Sequence, residues 1–255
     1  MQKTLLRALL VIGVLAVIGA SAAHALELRV GKIILLTDGG FSPTALPQNK
    51  DAPIKLHGYT KISTTDGTPP SPLKKLTLKF DKHGSVETRG LPVCKRSQLI
   101  NTTTAQARRA CPGAIVGEGF GKAVVNFPDQ APIPASSPLT IFNGPPKNGN
   151  PTVFAHAYLT VGGPSTFVVP IVIEKIHDGR YGFKVEAEIP KIVNGYGTPL
   201  YGRLKIGKTW KYKGKTLSYA NARCADGRLQ AEGQFIFKDG TFLQGSLFKP
   251  CQIKK

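Results

Sequence analysis

Side chains in the spacings that support catalysis are few in this chain. His57, His83, His156 and His177 form no His-x-His or His-Glu-x-x-His pattern, so local spacing sets up no pair of metal ligands. No Gly-x-Ser-x-Gly elbow is present to lift a serine nucleophile above a sheet. Glu186 and Glu188 would share one face of a strand and could imitate the carboxylate pair of a glycosidase. Two acids at i and i+2 are equally what an outward strand face presents to water. Glu118, between Gly117 and Gly119, is the acid with the most unusual neighbours, and no second acid pairs with it in sequence. No residue is therefore assigned a catalytic role, and neither a metal nor a cofactor is expected.

Gly202-Arg-Leu-Lys-Ile-Gly207-Lys208-Thr209 matches the phosphate-loop pattern letter for letter. That loop must open a helix whose N-terminal N–H groups hold phosphate. Here Thr209 runs into Trp210-Lys211-Tyr212-Lys213-Gly214, an alternating strand closed by glycine, so nucleotide binding is not expected. The same stretch offers a binding candidate. With period two, Trp210 and Tyr212 share one face while Lys211 and Lys213 share the other, and Lys208 lies beside them. An aromatic face next to lysines can stack on sugar rings or bases while the cations meet acidic groups. The simpler alternative is a half-buried strand, with Trp210 and Tyr212 on the core and the lysines in water.

The balance of 34 Lys and Arg against 15 Asp and Glu gives a formal charge of +19. Such a field attracts polyanions, although the basic residues are spread along the chain and form no dense tract. The first 25 residues read as a secretory leader: Lys3 and Arg7, an apolar run over 8–20, and the small-x-small site Ala23-His24-Ala25. Because the run is shorter than the ~20 residues a bilayer span needs, no membrane span is expected after cleavage. In an exported chain the four cysteines read as two disulfides. Of three pairings, Cys94–Cys111 and Cys224–Cys251 are favoured because each closes a short loop, and neither pair has the Cys-x-x-Cys spacing of a zinc site.

These residues must be positioned chiefly by strands. Lys55 to Thr65 and Leu73 to Phe80 read as β, broken by Thr65-Asp66-Gly67 and Pro69-Pro70. Hairpins are expected around Asp178-Gly179 and Asp239-Gly240, and further Asp-Gly or Asn-Gly turns at Asp38, Asn143, Asn148, Asn194 and Asp226. Proline- and glycine-rich stretches over 128–138 and 143–151 read as long loops. One short helix is predicted near 103–110, where Thr103 and Gln106 form a capping box and Cys111-Pro112-Gly113 stops it. With Cys94 paired to Cys111, that helix would be pinned onto a strand ending near Leu91. The alternate glycines Gly117, Gly119 and Gly121 predict close approach of another backbone.

Leu91-Pro-Val-Cys94, Thr102-Thr-Thr-Ala-Gln106-Ala and Cys111-Pro-Gly-Ala-Ile-Val-Gly-Glu-Gly119 together resemble a family of uncharacterised exported proteins of soil actinobacteria. The resemblance extends through Ile62-Ser-Thr-Thr-Asp-Gly67 and Thr88-Arg-Gly-Leu-Pro92 to a cysteine near the C-terminus. It implies export, disulfides and one continuous architecture, and it carries over no activity and no catalytic residue.

The expectation is an all-β protein, an antiparallel sandwich with one short helix, in a single domain over 26–255 whose weakest point is near Asn194. It would be secreted or held in the envelope, as a non-catalytic binding or structural protein for an anionic or carbohydrate polymer of the cell envelope. No specific nucleic acid is expected as partner. An extracellular polysaccharide hydrolase, with carboxylates drawn from strands distant in sequence, is the alternative.

Overall fold

The computed structural model describes residues 25–254, so the leader lies, but for Ala25, outside the described residues. Alternating apolar residues and glycine-bearing turns produce one antiparallel sheet of twelve strands. In chain order these are β1 (Leu26–Val30), β2 (Ile33–Ser42), β3 (Lys55–Thr64), β4 (Leu73–Asp81), β5 (Ile115–Val125), β6 (Ile133–Lys147), β7 (Asn150–Leu159), β8 (Ser165–Asp178), β9 (Tyr181–Glu188), β10 (Gly197–Ile206), β11 (Arg228–Phe237) and β12 (Phe242–Pro250). Across the sheet they run β1-β2-β3-β10-β5-β6-β7-β8-β9-β4-β11-β12.

The sheet curls until its two ends meet, so the layers of the expected sandwich are parts of one continuous near-barrel. Ile33, Leu35 and Ile62 of β2 and β3 pack against Leu73, Phe235, Phe237 and Leu243 at β4, β11 and β12. At the seam, Gly245 of β12 lies against Leu26 and Leu28 of β1, where a Cβ would come within 2.5 Å of Leu26. One end of the barrel is closed by Phe41, Leu46, Ile54, Leu229 and the Cys224–Cys251 disulfide. There the C-terminal Gln252–Lys254 pairs in parallel with Ala45–Pro47. The other end is filled by Val125, Leu159 and partly buried Phe127, Ile192 and Val193.

The helix forms over Thr104–Ala110, and its cap is reciprocal: the Gln106 N–H donates to the Thr103 hydroxyl and the Thr103 N–H to the Gln106 side chain. No strand ends near Leu91; the preceding strand is Gly84–Val86, and residues 87–95 are irregular. The Cys94–Cys111 disulfide instead gathers this segment and the helix into a pad on the outer face of β6 and β7. The Cys94 N–H donates to the Asn143 carbonyl (2.8 Å), and Leu99, Ala107 and Ala114 cover Phe142 and Phe154. Residues 140–143 of β6 are thus buried on both faces.

The stretches read as loops are strand in large part: residues 126–132 do form a loop, but the strand begins at Ile133. β6 runs through Pro134 and Pro138 because both pair with β5, whereas pairing with β7 begins only at Leu139. Their missing N–H groups therefore fall where the strand has one neighbour. Within 143–151 only Asn148-Gly149 turns, with φ of 50° and 76°, between β6 and β7. Asp38-Gly39 and Asn143-Gly144, read as turns, lie in mid-strand. The Asp38 carboxylate accepts the Gly39 N–H and is held by Lys249, so it is satisfied without a turn. The hairpins at Asp178-Gly179 and Asp239-Gly240 form as expected.

Beneath the pad His156 is wholly buried, with its ring edge-on to Phe142 and Nε2 3.2 Å from the Thr102 carbonyl. Burial pushes the imidazole below its ordinary value, outweighing the hydrogen bond to Thr102. The unfolded chain therefore binds a proton more readily than the fold, so stability is full above about pH 6.5 and falls as pH drops through that value. His156→Gln, which keeps a donor toward Thr102 without titrating, should flatten the fall of melting temperature between about pH 6.5 and 4. Identical pH profiles for the two proteins would contradict this role.

Candidate functional site

The outward face of β2, β3, β10 and β5 brings together residues far apart in sequence. Register places them in three rows across the strands. The first is Lys61–Tyr201–Lys122, the second Asp38–Tyr59–Arg203–Phe120, and the third His57–Lys205–Glu118. Neighbours in a row are ~4.8 Å apart and successive rows ~6.7 Å, so each cation has an aromatic or imidazole ring next to it in its row. The Tyr59 and Tyr201 rings stack at 6.3 Å between centroids, and the Arg203 guanidinium lies over Phe120 at 5.8 Å.

Among these side chains lies an open cleft of about 390 Å³, with Lys61, Lys122 and Phe120 standing outside its lining. Its floor is the main chain of Gly39, Gly58, Leu204 and Gly119, which are in register across the four strands. Backbones approach closely here: a Cβ on Gly39 would lie 2.9 Å from the His57 carbonyl oxygen, and one on Gly119 would collide with that of Arg203. The same holds at Gly117, 2.6 Å from the Lys205 carbonyl, as its alternate glycines predicted.

Charge distinguishes this face from the opposite one. Across β11, β4, β9 and β8 runs the row Glu232–Lys79–Lys184–Glu174, closed by ion pairs of 3.3 Å at Lys79–Glu232 and 2.9 Å at Lys184–Glu174. Lys75 is likewise paired to Glu186. On the cleft face, Lys61, Lys122, Arg203 and Lys205 are exposed and form no ion pair among the described residues. Both acids here are already engaged: Asp38 with Lys249, and Glu118 with Arg108 of the pad helix. Four of the molecule's unpaired cations therefore share this face with no free acid beside them.

The residues singled out near 210 occupy a separate hairpin, Thr209–Tyr212 with Lys215–Ser218, turning at Lys213-Gly214. The Trp210 indole N–H donates to the Arg89 carbonyl (2.9 Å) and the ring packs on the interior cluster. Tyr212 lies over Gly90, with Lys213 5.6 Å above its ring. Lys208 donates to the Gly113 carbonyl, and burial lowers its pKa. Lys211 is exposed. Trp210 and Lys208 are thus engaged inside the fold, while Tyr212, Lys211 and Lys213 remain at the surface. Gly202–Thr209, the phosphate-loop match, is strand β10 followed by the approach to this hairpin, with no helix.

The two acids of the cleft face do not pair as in a glycosidase. Asp38 and Glu118 stand three strands apart, roughly 14 Å along the sheet, beyond the ~5–9.5 Å of such pairs. Burial raises the Glu186 pKa, but Lys75 and Lys184 outweigh it and hold the carboxyl below its ordinary value. That is opposite to what a general acid requires.

Comparison with protein-family models finds no match, and comparison with curated proteins finds none either.

Proposed function

We propose that this chain works outside the cytoplasm as a non-catalytic binding protein for an anionic polymer, with the face of β2, β3, β10 and β5 as its contact surface. The observation that carries the proposal is the contrast between the two outward faces. Lysines on one are neutralised by glutamates in register, while four exposed cations on the other have no acidic partner. Leaving like charges adjacent costs stability, because each raises the local potential of the others. A polyanion lying across the cleft removes that repulsion. Two disulfides suit an oxidising compartment, and no helix among the described residues is long and apolar enough to cross a membrane. The leader read over residues 1–25 supplies the route of export.

The test is retention of the mature, oxidised protein on insoluble anionic envelope material across a salt series. Retention should fall steeply between about 0.05 and 0.5 M salt, as the screening length shortens from above 10 Å toward 3 Å. It should vanish on material stripped of its acidic groups. Retention indifferent to both would contradict the proposal.

A further inference from the structure

We infer that the polymer this face takes is an acidic polysaccharide, a chain of sugar rings carrying carboxylates, rather than a ringless polyanion or a nucleic acid. The inference rests on the polymer-binding reading above and specifies its ligand. A plain polyanion site needs only cations, yet every cation here has an aromatic or imidazole ring beside it. Tyr201 separates Lys61 from Lys122, Tyr59 and Phe120 flank Arg203, and His57 adjoins Lys205. Tyr59, Tyr201 and Phe120 are half-buried at an open surface instead of being packed into the interior.

The ring geometry rules out intercalation of a base. An intercalated base must contact a ring on each side at ~3.5–4 Å, a total of roughly 7–8 Å. The Tyr59 and Tyr201 centroids are 6.3 Å apart with an interplanar angle of 29°, so no flat ring fits between them. The two rings lie against each other, and each carries a phenolic hydroxyl. Neither hydroxyl has a partner among the described hydrogen bonds, and nor does the His57 ring. Hydroxyls that both donate and accept, set between cations, complement a ligand with its own hydroxyls and acidic groups. Arg203 supplies a contact for the acidic group of such a ligand. Phe120 braces its planar guanidinium, which matches the two oxygens of a carboxylate.

The experiment compares polygalacturonate, neutral dextran, linear polyphosphate and single-stranded DNA as probes of the oxidised protein at low salt. Polygalacturonate should bind, and Tyr59→Phe with Tyr201→Phe should weaken it about tenfold, the effect of losing two hydrogen bonds of ordinary net strength. The same double variant should bind polyphosphate as the unaltered protein does. Conserved ring packing keeps its melting temperature unchanged, which separates a binding loss from a folding loss. Polyphosphate or DNA bound as tightly as polygalacturonate, with no tyrosine effect, would overturn the sugar inference and leave the polyanion reading standing. No binding of any acidic probe would overturn both.

Discussion

Reversing three charges of the cleft face together, Lys61→Glu, Arg203→Glu and Lys205→Glu, is expected to weaken polygalacturonate binding about a hundredfold or more at low salt. A single ion pair at contact in water contributes ~1 kcal/mol, and each reversal replaces such an attraction by a repulsion. Three together exceed the ~2.7 kcal/mol that corresponds to a hundredfold change. These side chains point outward and pair with no acid, so their replacement leaves the interior intact. The matched control is Lys211→Glu, Lys213→Glu and Lys215→Glu on the Thr209–Ser218 hairpin, three reversals on a separate surface. That variant should lose no more than about threefold, through the general field alone. Equal losses from the two variants would mean that the net field of the molecule, and not the cleft, governs binding.

Removal of the Cys224–Cys251 disulfide should produce the largest change in stability. The bridge closes a separation of 27 residues, for which the chain-entropy relation gives ~3.5 kcal/mol. Its sulfurs sit among Phe41, Leu46, Ile54 and Leu229 at the closed end of the barrel. It also anchors the chain just before Gln252–Lys254, whose parallel pairing with Ala45–Pro47 is too short to hold unaided. Replacing both cysteines by alanine leaves no unpaired buried hydroxyl and should lower the melting temperature by about 10 °C. The Cys94–Cys111 pair closes a separation of 17 residues and restrains the surface pad, so its loss should be felt mostly in hydrogen exchange over 95–111. A drop below about 2 °C for the first variant would contradict this assignment.

Local signals in the sequence were reliable where a single turn or cap decides the structure. Asp178-Gly179 and Asp239-Gly240 close hairpins, and Thr103 with Gln106 starts the helix. The favoured disulfides form because each joins segments that are neighbours in both chain and space. The reading failed where tertiary pairing overrides composition. Pro134 and Pro138 enter a strand because β6 lacks its second neighbour there, and Asp38-Gly39 stays extended because Lys249 and close backbone packing favour it. Lys55–Thr64 and Leu73–Asp81 are strands as expected, yet they are not partners of each other. The cleft was out of reach for the same reason. Positions 38, 59, 118 and 203 meet only through the register of four strands, of which the neighbours β3 and β10 are far apart in sequence. One trace was visible: Tyr201-x-Arg203-x-Lys205 and His57-x-Tyr59-x-Lys61 alternate with period two, aromatic and cationic on a single face. In the first of these, Gly202 and Gly207 superimpose the pattern of a phosphate loop on an ordinary strand.

Lysine acetylation mapped by mass spectrometry, with and without saturating polygalacturonate at low salt, locates the contact surface directly. Polymer should protect Lys61, Lys122 and Lys205, while Lys211 and Lys213 stay reactive and the ion-paired Lys75, Lys79 and Lys184 keep their original rates. Protection centred on Lys211 and Lys213, with Lys61, Lys122 and Lys205 unchanged, would contradict the assignment of the cleft face as the binding site.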